Sequence, residues 1–226
     1  MKASSSLSRF LTATLLVSHS SMAAPPNDNC SGPTEVHPVT FNMLTPQIGT
    51  ATAEPNEPLE SCEFLNAGTS NSVWFSITPA FCGILNLDTK FSNYDTVLSV
   101  FEGVCETAIE IACDDDSGAR LLSALADVSV SAERTYLIKV AHFGFGPLPE
   151  SASLRLNGQL FPIGDLDTDC DVDLDDYHLF AMECLAGPDA SATRAEQQQC
   201  HSVDFDDDGD IDLFDFSGFQ NRFEAP

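Results

Sequence analysis

From about residue 26 to 160, the chain alternates apolar with polar or small side chains in short runs: SVWFSI, GILNLDT, TVLSVF, EIAC, DVSVS, TYLIKVA and ASLRLN. The runs are rich in Val, Ile, Thr, Tyr and Phe. Gly, Pro, Asn or Asp interrupts them roughly every 8 to 15 residues, which is the pattern of strands joined by turns. Nothing between them keeps a helical period over about ten residues. Each run has one apolar face to bury, so two packed antiparallel sheets are the economical arrangement.

The pattern changes at NGQLFPIG, residues 157 to 164. Beyond it, 62 residues carry 18 acidic and 2 basic groups and no clear strand. Apolar residues now recur at helical spacing. Tyr177, Phe180, Met182 and Leu185 follow one aspartate cluster; Phe216, Phe219 and Phe223 follow another. The predicted fold is mainly β: an antiparallel β-sandwich over 24–160, then a small α-helical, EF-hand-like calcium module over 161–226.

The two aspartate clusters have the same internal arithmetic. Asp165, Asp167, Asp169, Asp173 and Asp176 occupy positions 1, 3, 5, 9 and 12 of a segment, and 39 residues later Asp204, Asp206, Asp208, Asp212 and Asp215 do the same. Val172 and Ile211 both stand at position 8, and an aromatic residue, Tyr177 or Phe216, follows each twelfth position. Ca²⁺ takes about six to eight oxygen ligands, and a tight twelve-residue loop presents them from positions 1, 3, 5, 7, 9 and 12. Position 7 offers its backbone carbonyl, here from Asp171 and Asp210. An acidic linker would not place Val, Ile, Leu and Phe in register twice. Two calcium ions are therefore expected. At position 6 the second loop has Gly209 and the first has Cys170, for which a left-handed backbone costs on the order of 1 kcal/mol. The first site is expected to be weaker.

Two loop–helix units, each with Asp at position 12 and no helix entering the loop, resemble a type I dockerin domain over about residues 164 to 224. The resemblance implies one calcium per loop and paired helices that dock onto a cohesin. The residues at loop positions 10 and 11 depart from the small hydroxyl residues that cohesin-binding dockerins often use: they are Leu174 and Asp175, then Leu213 and Phe214. Exposed apolar residues on the two helices, such as Leu179, Phe180, Phe219 and Phe223, would favour docking, although two of them must also form a core.

Upstream, NDNC, SVWFSITP, SNYDTVLSVFEG, IACDDDSG and TYLIKVAHFG are similar to the bacterial pre-peptidase C-terminal domain family, over about residues 27 to 158. That resemblance implies a non-catalytic β-sandwich module of a secreted protein, concerned with secretion, substrate attachment or a structural calcium. Asp95 and the run Asp114, Asp115, Asp116 are candidates for a further cation site; a solvated turn before Ser117 is the alternative for the run.

Composition narrows the setting. MKASSSLSRF, the apolar FLTATLLV and the small-residue HSSMAA read as a signal peptide over 1–23, cut after Ala23 or Ala24. No later segment has the length or apolarity of a membrane span. Without Lys2 and Arg9 the chain has 7 basic against 35 acidic groups, a net charge of −28, which argues against nucleic acid or anionic membrane as partner. An even count of 8 cysteines in an exported chain reads as disulfides. Cys184–Cys200 would hold the two loop–helix units together, Cys105–Cys113 would bridge adjacent strands, and Cys30–Cys62 follows. Cys82 and Cys170 remain by elimination and would tie the sandwich to the calcium module. Neither a G-x-S-x-G elbow nor an H-E-x-x-H helix occurs.

The expectation is thus a secreted, non-catalytic, calcium-binding protein that attaches to a cohesin-like or cell-surface protein. The alternative is a polysaccharide-binding accessory module of an extracellular carbohydrate-degrading system, tethered by its calcium module.

Overall fold

The structure is a computed structural model that describes residues 23–55, 57–62, 68–144, 146–149, 151–162, 164–184, 200, 203–205 and 211–222. The expected signal peptide up to residue 22, the interloop segment 185–199, and Asp206, Asp208, Gly209, Asp210 and Phe223 lie outside those residues.

Among the described residues nine strands form two sheets. They are β1 (Thr34–Glu35), β2 (Thr40–Pro46), β3 (Thr69–Ile77), β4 (Gly83–Asp88), β5 (Thr96–Glu102), β6 (Ile109–Asp115), β7 (Ala124–Val130), β8 (Tyr136–Phe143) and β9 (Ser153–Pro162). The five-stranded sheet runs β1-β3-β8-β5-β6 and the four-stranded sheet β2-β9-β4-β7. Pairing is antiparallel except between β1 and β3. The seven runs read as strands fall in β3 to β9. TFNMLTP, which forms β2, was not among them; it lies at a sheet edge and ends in Pro46, where a missing N–H does least harm.

The main core lies between the sheets. Val73, Phe75, Ile77, Leu98, Val100, Ile138 and Val140 face Leu85, Leu87, Leu154, Leu156 and Leu160. This explains the alternation along β9, where every second residue is buried. Strands β5 and β8 are instead buried almost without a break, because the outer face of their sheet is covered as well. Trp74 belongs to that outer layer, packed with Cys30, Phe101 and Leu137. Its indole N–H donates to Glu57. Beside it the Lys139 ammonium, 2% exposed, meets Glu57 at 3.1 Å and Glu60 at 2.8 Å and donates to the Pro58 carbonyl.

The disulfides fasten this covering layer and correct two expected pairings. Cys30 bonds Cys105 and Cys62 bonds Cys113, with Cα separations of 5.8 and 5.6 Å. Cys105 and Cys113 cannot meet across a hairpin, because β5 and β6 close at Glu102 opposite Ile109. Cys105 is left in the turn, and Cys113 stands opposite Ser99. Each therefore takes its partner from the segments laid over the sheet. Cys82–Cys170 and Cys184–Cys200 pair as expected. Four disulfides accord with an oxidising compartment. Among the described residues no helix is long and apolar enough to cross a membrane.

Candidate metal centre

The C-terminal segment has its own small core. Leu166, Val172, Phe180, Val203, Phe219 and the Cys184–Cys200 bridge are buried together. Two short helices meet there: α1 (Leu174–Leu179), continued by a π-helical turn over Phe180–Cys184, and α2 (Leu213–Gln220). Phe180 stacks on Phe219 at 5.0 Å between ring centres. A Cβ at Gly218 would come within 2.7 Å of the Phe205 ring, so α2 can seat against that ring only with glycine there.

The first acidic loop is organised by its own carboxylates. Asp165 accepts from the backbone N–H groups of Thr168 (2.7 Å), Asp169 (3.1 Å) and Cys170 (3.0 Å), which curls the loop around its first residue. Thr168 and Cys170 take positive φ of 70° and 76°. Cys170 therefore adopts the left-handed conformation for which glycine is the unstrained choice, as its place in the loop predicts. Asp173 caps α1 by accepting from Asp175, and Asp176 completes a capping box through the Asp173 N–H at 2.8 Å. Asp176 also accepts from Leu166 (2.5 Å) and Asp167 (3.2 Å) and is fully buried. The twelfth residue thus holds both the entry and the exit of its loop.

The second loop repeats this arrangement wherever it is described. Asp215 is fully buried and accepts from Phe205 at 2.7 Å and Asp212 at 2.8 Å, the positions corresponding to Leu166 and Asp173. Asp212 caps α2 as Asp173 caps α1. The repeat in sequence is a repeat in hydrogen bonding. Asp204 is half-buried; Asp206, Asp208 and Asp210 fall outside the described residues.

Carboxylate oxygens of Asp165, Asp167 and Asp176 all lie within 4.8 Å of one another, as do those of Asp171, Asp173 and Asp176. The two groups share Asp176. Desolvation first, and the surrounding carboxylates second, push Asp167 and Asp171 above the ordinary carboxylate range. Such a cluster is all hard oxygen donors, the set that suits Ca²⁺. Asp169 belongs to neither group; it accepts from the Asp171 N–H.

On the sandwich, Asp95, Asp115 and Asp116 converge within the same 4.8 Å limit at one end of β5 and β6. Asp114 does not join them, because its carboxylate turns away to accept from Ser117 and Ala124. One oxygen each of Asp95 and Asp115 is shut off from solvent without a hydrogen-bond partner. Desolvation, then Asp116, Asp95 and Asp114, raise Asp115 to about 6. This group can be fully ionised only at a cost in repulsion.

Of the apolar residues expected to present a docking surface, Phe180 and Phe219 are buried in the small core and Leu179 is half-buried. Among the described residues of this segment the exposed large apolar side chains are Leu174, Tyr177, Met182, Leu213 and Phe214, at 69%, 42%, 71%, 74% and 73%. Leu174 and Leu213 stand at position 10 of their loops and Phe214 at position 11.

No protein-family model matches this chain. No curated protein matches it either.

Proposed function

We propose that the chain is a secreted, non-catalytic, calcium-binding protein whose C-terminal, dockerin-like module docks onto an extracellular protein. The observation that carries this reading is the double repeat, in sequence and in hydrogen bonding, of a buried twelfth-position aspartate that closes an acidic loop. Asp165, Asp167, Asp169, Asp173 and Asp176, with the Asp171 carbonyl, would hold one ion. Asp204, Asp206, Asp208, Asp212 and Asp215, with the Asp210 carbonyl, would hold the other. A bound dication supplies the positive charge that lets these carboxylates remain ionised side by side.

Docking is supported by where the apolar surface falls. A unit with so small a core leaves Leu174, Met182, Leu213 and Phe214 in solvent. Large apolar residues exposed beside acidic loops fit the buried centre and polar rim of a protein interface.

Calcium titration of the mature chain by calorimetry, with circular dichroism in parallel, tests the reading. Two ions bound with a gain in helix are expected. Asp176→Ala and Asp215→Ala should each remove one ion. No heat and no change in helix at millimolar Ca²⁺ would reduce the aspartates to an acidic surface. For docking, Leu213→Ser and Phe214→Ser should leave calcium binding intact while weakening any calcium-dependent protein complex.

A further inference from the structure

Phe91 lies in the turn between β4 and β5, with φ of 75° and 73% of its surface exposed. A bulky side chain rarely adopts positive φ, and such strain persists only where the surroundings over-determine it. Here the turn is fixed from both sides. The Lys90 N–H donates to Asp88 at 2.8 Å, and Ser92 exchanges hydrogen bonds with the Arg155 backbone, accepting at 2.9 Å and donating at 3.3 Å. The Asn93 amide bonds the backbone of Ser151 and Ser153. None of these contacts uses the Phe91 ring. The turn is held so that an aromatic ring stands in water, a costly arrangement that the fold itself does not exploit.

From this turn a row of polar groups runs across the outer face of the four-stranded sheet. Asn42, Asn157 and Asp88 stand directly opposite one another on β2, β9 and β4. Asn42 donates to Asn157, and Asn157 donates to Asp88 at 2.5 Å and to the Lys90 carbonyl at 3.4 Å. Arg155 closes the row by donating to Asn42 at 3.1 Å. Mutual hydrogen bonds pre-set these side chains, which lowers the ordering cost of recognising a polar ligand. Lys90 stands 5.3 Å from the centre of the Phe91 ring. Lys90 and Arg155 are two of only 7 cations outside the N-terminal segment of a chain that carries 35 acidic groups. Lys90 stands at the ring and Arg155 at the Asn42 end of the row, with Asp88 as the row's one acid, so two cations face one carboxylate on a chain that is otherwise strongly acidic.

We propose that this face binds an acidic polysaccharide. One sugar ring stacks its apolar C–H face on Phe91, a uronate carboxylate meets Lys90, a second uronate along the polymer meets Arg155, and ring hydroxyls exchange hydrogen bonds with Asn42 and Asn157. The occupant follows from the chemistry. An aromatic platform flanked by amides suits a sugar, and two cations select an anionic one. The site is independent of the calcium loops, so either reading can fail without the other.

Affinity electrophoresis of the mature chain tests it, with hyaluronan, a uronate-containing polymer, in the gel and neutral dextran as the comparison. Retardation by hyaluronan alone is expected. Phe91→Gly and Arg155→Ala should each weaken it about tenfold or more. Phe91→Gly also separates function from structure, because glycine relieves the positive φ: its melting temperature should equal or exceed that of the parent while binding is lost. Calcium uptake should be unchanged in both variants. Equal retardation by dextran, no retardation by either polymer, or a lower melting temperature with unchanged binding in Phe91→Gly would each overturn the proposal.

Discussion

Cys170, at the sixth position of the first acidic loop, is disulfide-bonded to Cys82 at the entry to β4, with 5.4 Å between their Cα atoms. The residue that takes glycine's place in the loop is the one that ties the loop to the sandwich. Cys170 sits at φ of 76° and its N–H donates to Asp165. The strain of the turn and the anchor that offsets it therefore reside in one side chain. Removing the bridge opens a closed loop of 88 residues, worth at most about 4.6 kcal/mol in the chain-entropy model. With the bridge gone, the backbone preference at position 170 is uncovered. In a Cys82→Ser background, Cys170→Gly should unfold with about 1 kcal/mol more stability than Cys170→Ser. Denaturant titration of the two double variants measures the difference, and identical midpoints would mean that the loop does not hold position 170 in the left-handed region.

Asp176 and Asp215 should behave as a matched pair. Each is fully buried and accepts backbone N–H groups from both ends of its own loop. Alanine at either position leaves those buried donors unsatisfied, at a cost of about 1–3 kcal/mol each time. Urea unfolding monitored at the helical signal should show similar losses for the two variants. A loss confined to Asp176→Ala would refute the equivalence of the loops.

Lys139 is buried with Glu57 and Glu60, both at 5% or less side-chain exposure. Lys139→Met keeps much of the packing over Trp74 yet strands two carboxylates, and should cost about 3 kcal/mol or more. Adding Glu57→Gln and Glu60→Gln removes the stranded charge and should recover most of the loss. If the triple variant is no more stable than Lys139→Met, the loss comes from packing and the charge argument fails.

The Asp95–Asp115–Asp116 group predicts a pH dependence with a definite sign. Asp115 is raised to about 6 from an ordinary value of 3.8, first by desolvation and then by its acidic neighbours. The folded chain therefore keeps a proton that the unfolded chain has lost. The stability this contributes is complete below the unfolded value and disappears as pH rises through about 6. Asp115→Asn should raise the melting temperature at pH 8 in chelator-treated buffer and leave it nearly unchanged at pH 3.5. A gain of the same size at both pH values would point to packing instead of charge.

Much of this molecule is legible without its fold, and the reason lies in the range of the interactions involved. The strands β3 to β9 are legible as short runs rich in Val, Ile, Thr, Tyr and Phe between turn residues, and β4 and β9 also alternate as half-buried strands must; both signals act between neighbours in sequence. The paired loops were visible for the same reason. Asp173 and Asp176, or Asp212 and Asp215, cap their helices over a distance of three residues. Cys184 and Cys200, only 16 residues apart, could also be paired by eye.

What the tertiary structure decided concerns partners far apart in sequence. Cys30 finds Cys105 across 75 residues and Cys62 finds Cys113 across 51, because two segments fold over the outer face of the five-stranded sheet. The same covering layer buries Lys139 among carboxylates and buries both faces of β5 and β8. Asn42, Asp88 and Asn157 become neighbours only when β9 enters between β2 and β4, which sets a polar row leading to the turn that carries Phe91. Local spacing determines which elements form and which residues cap them. Which side chains meet across the sandwich depends on strand order and on the face each residue is given, and those are properties of the assembled sheets.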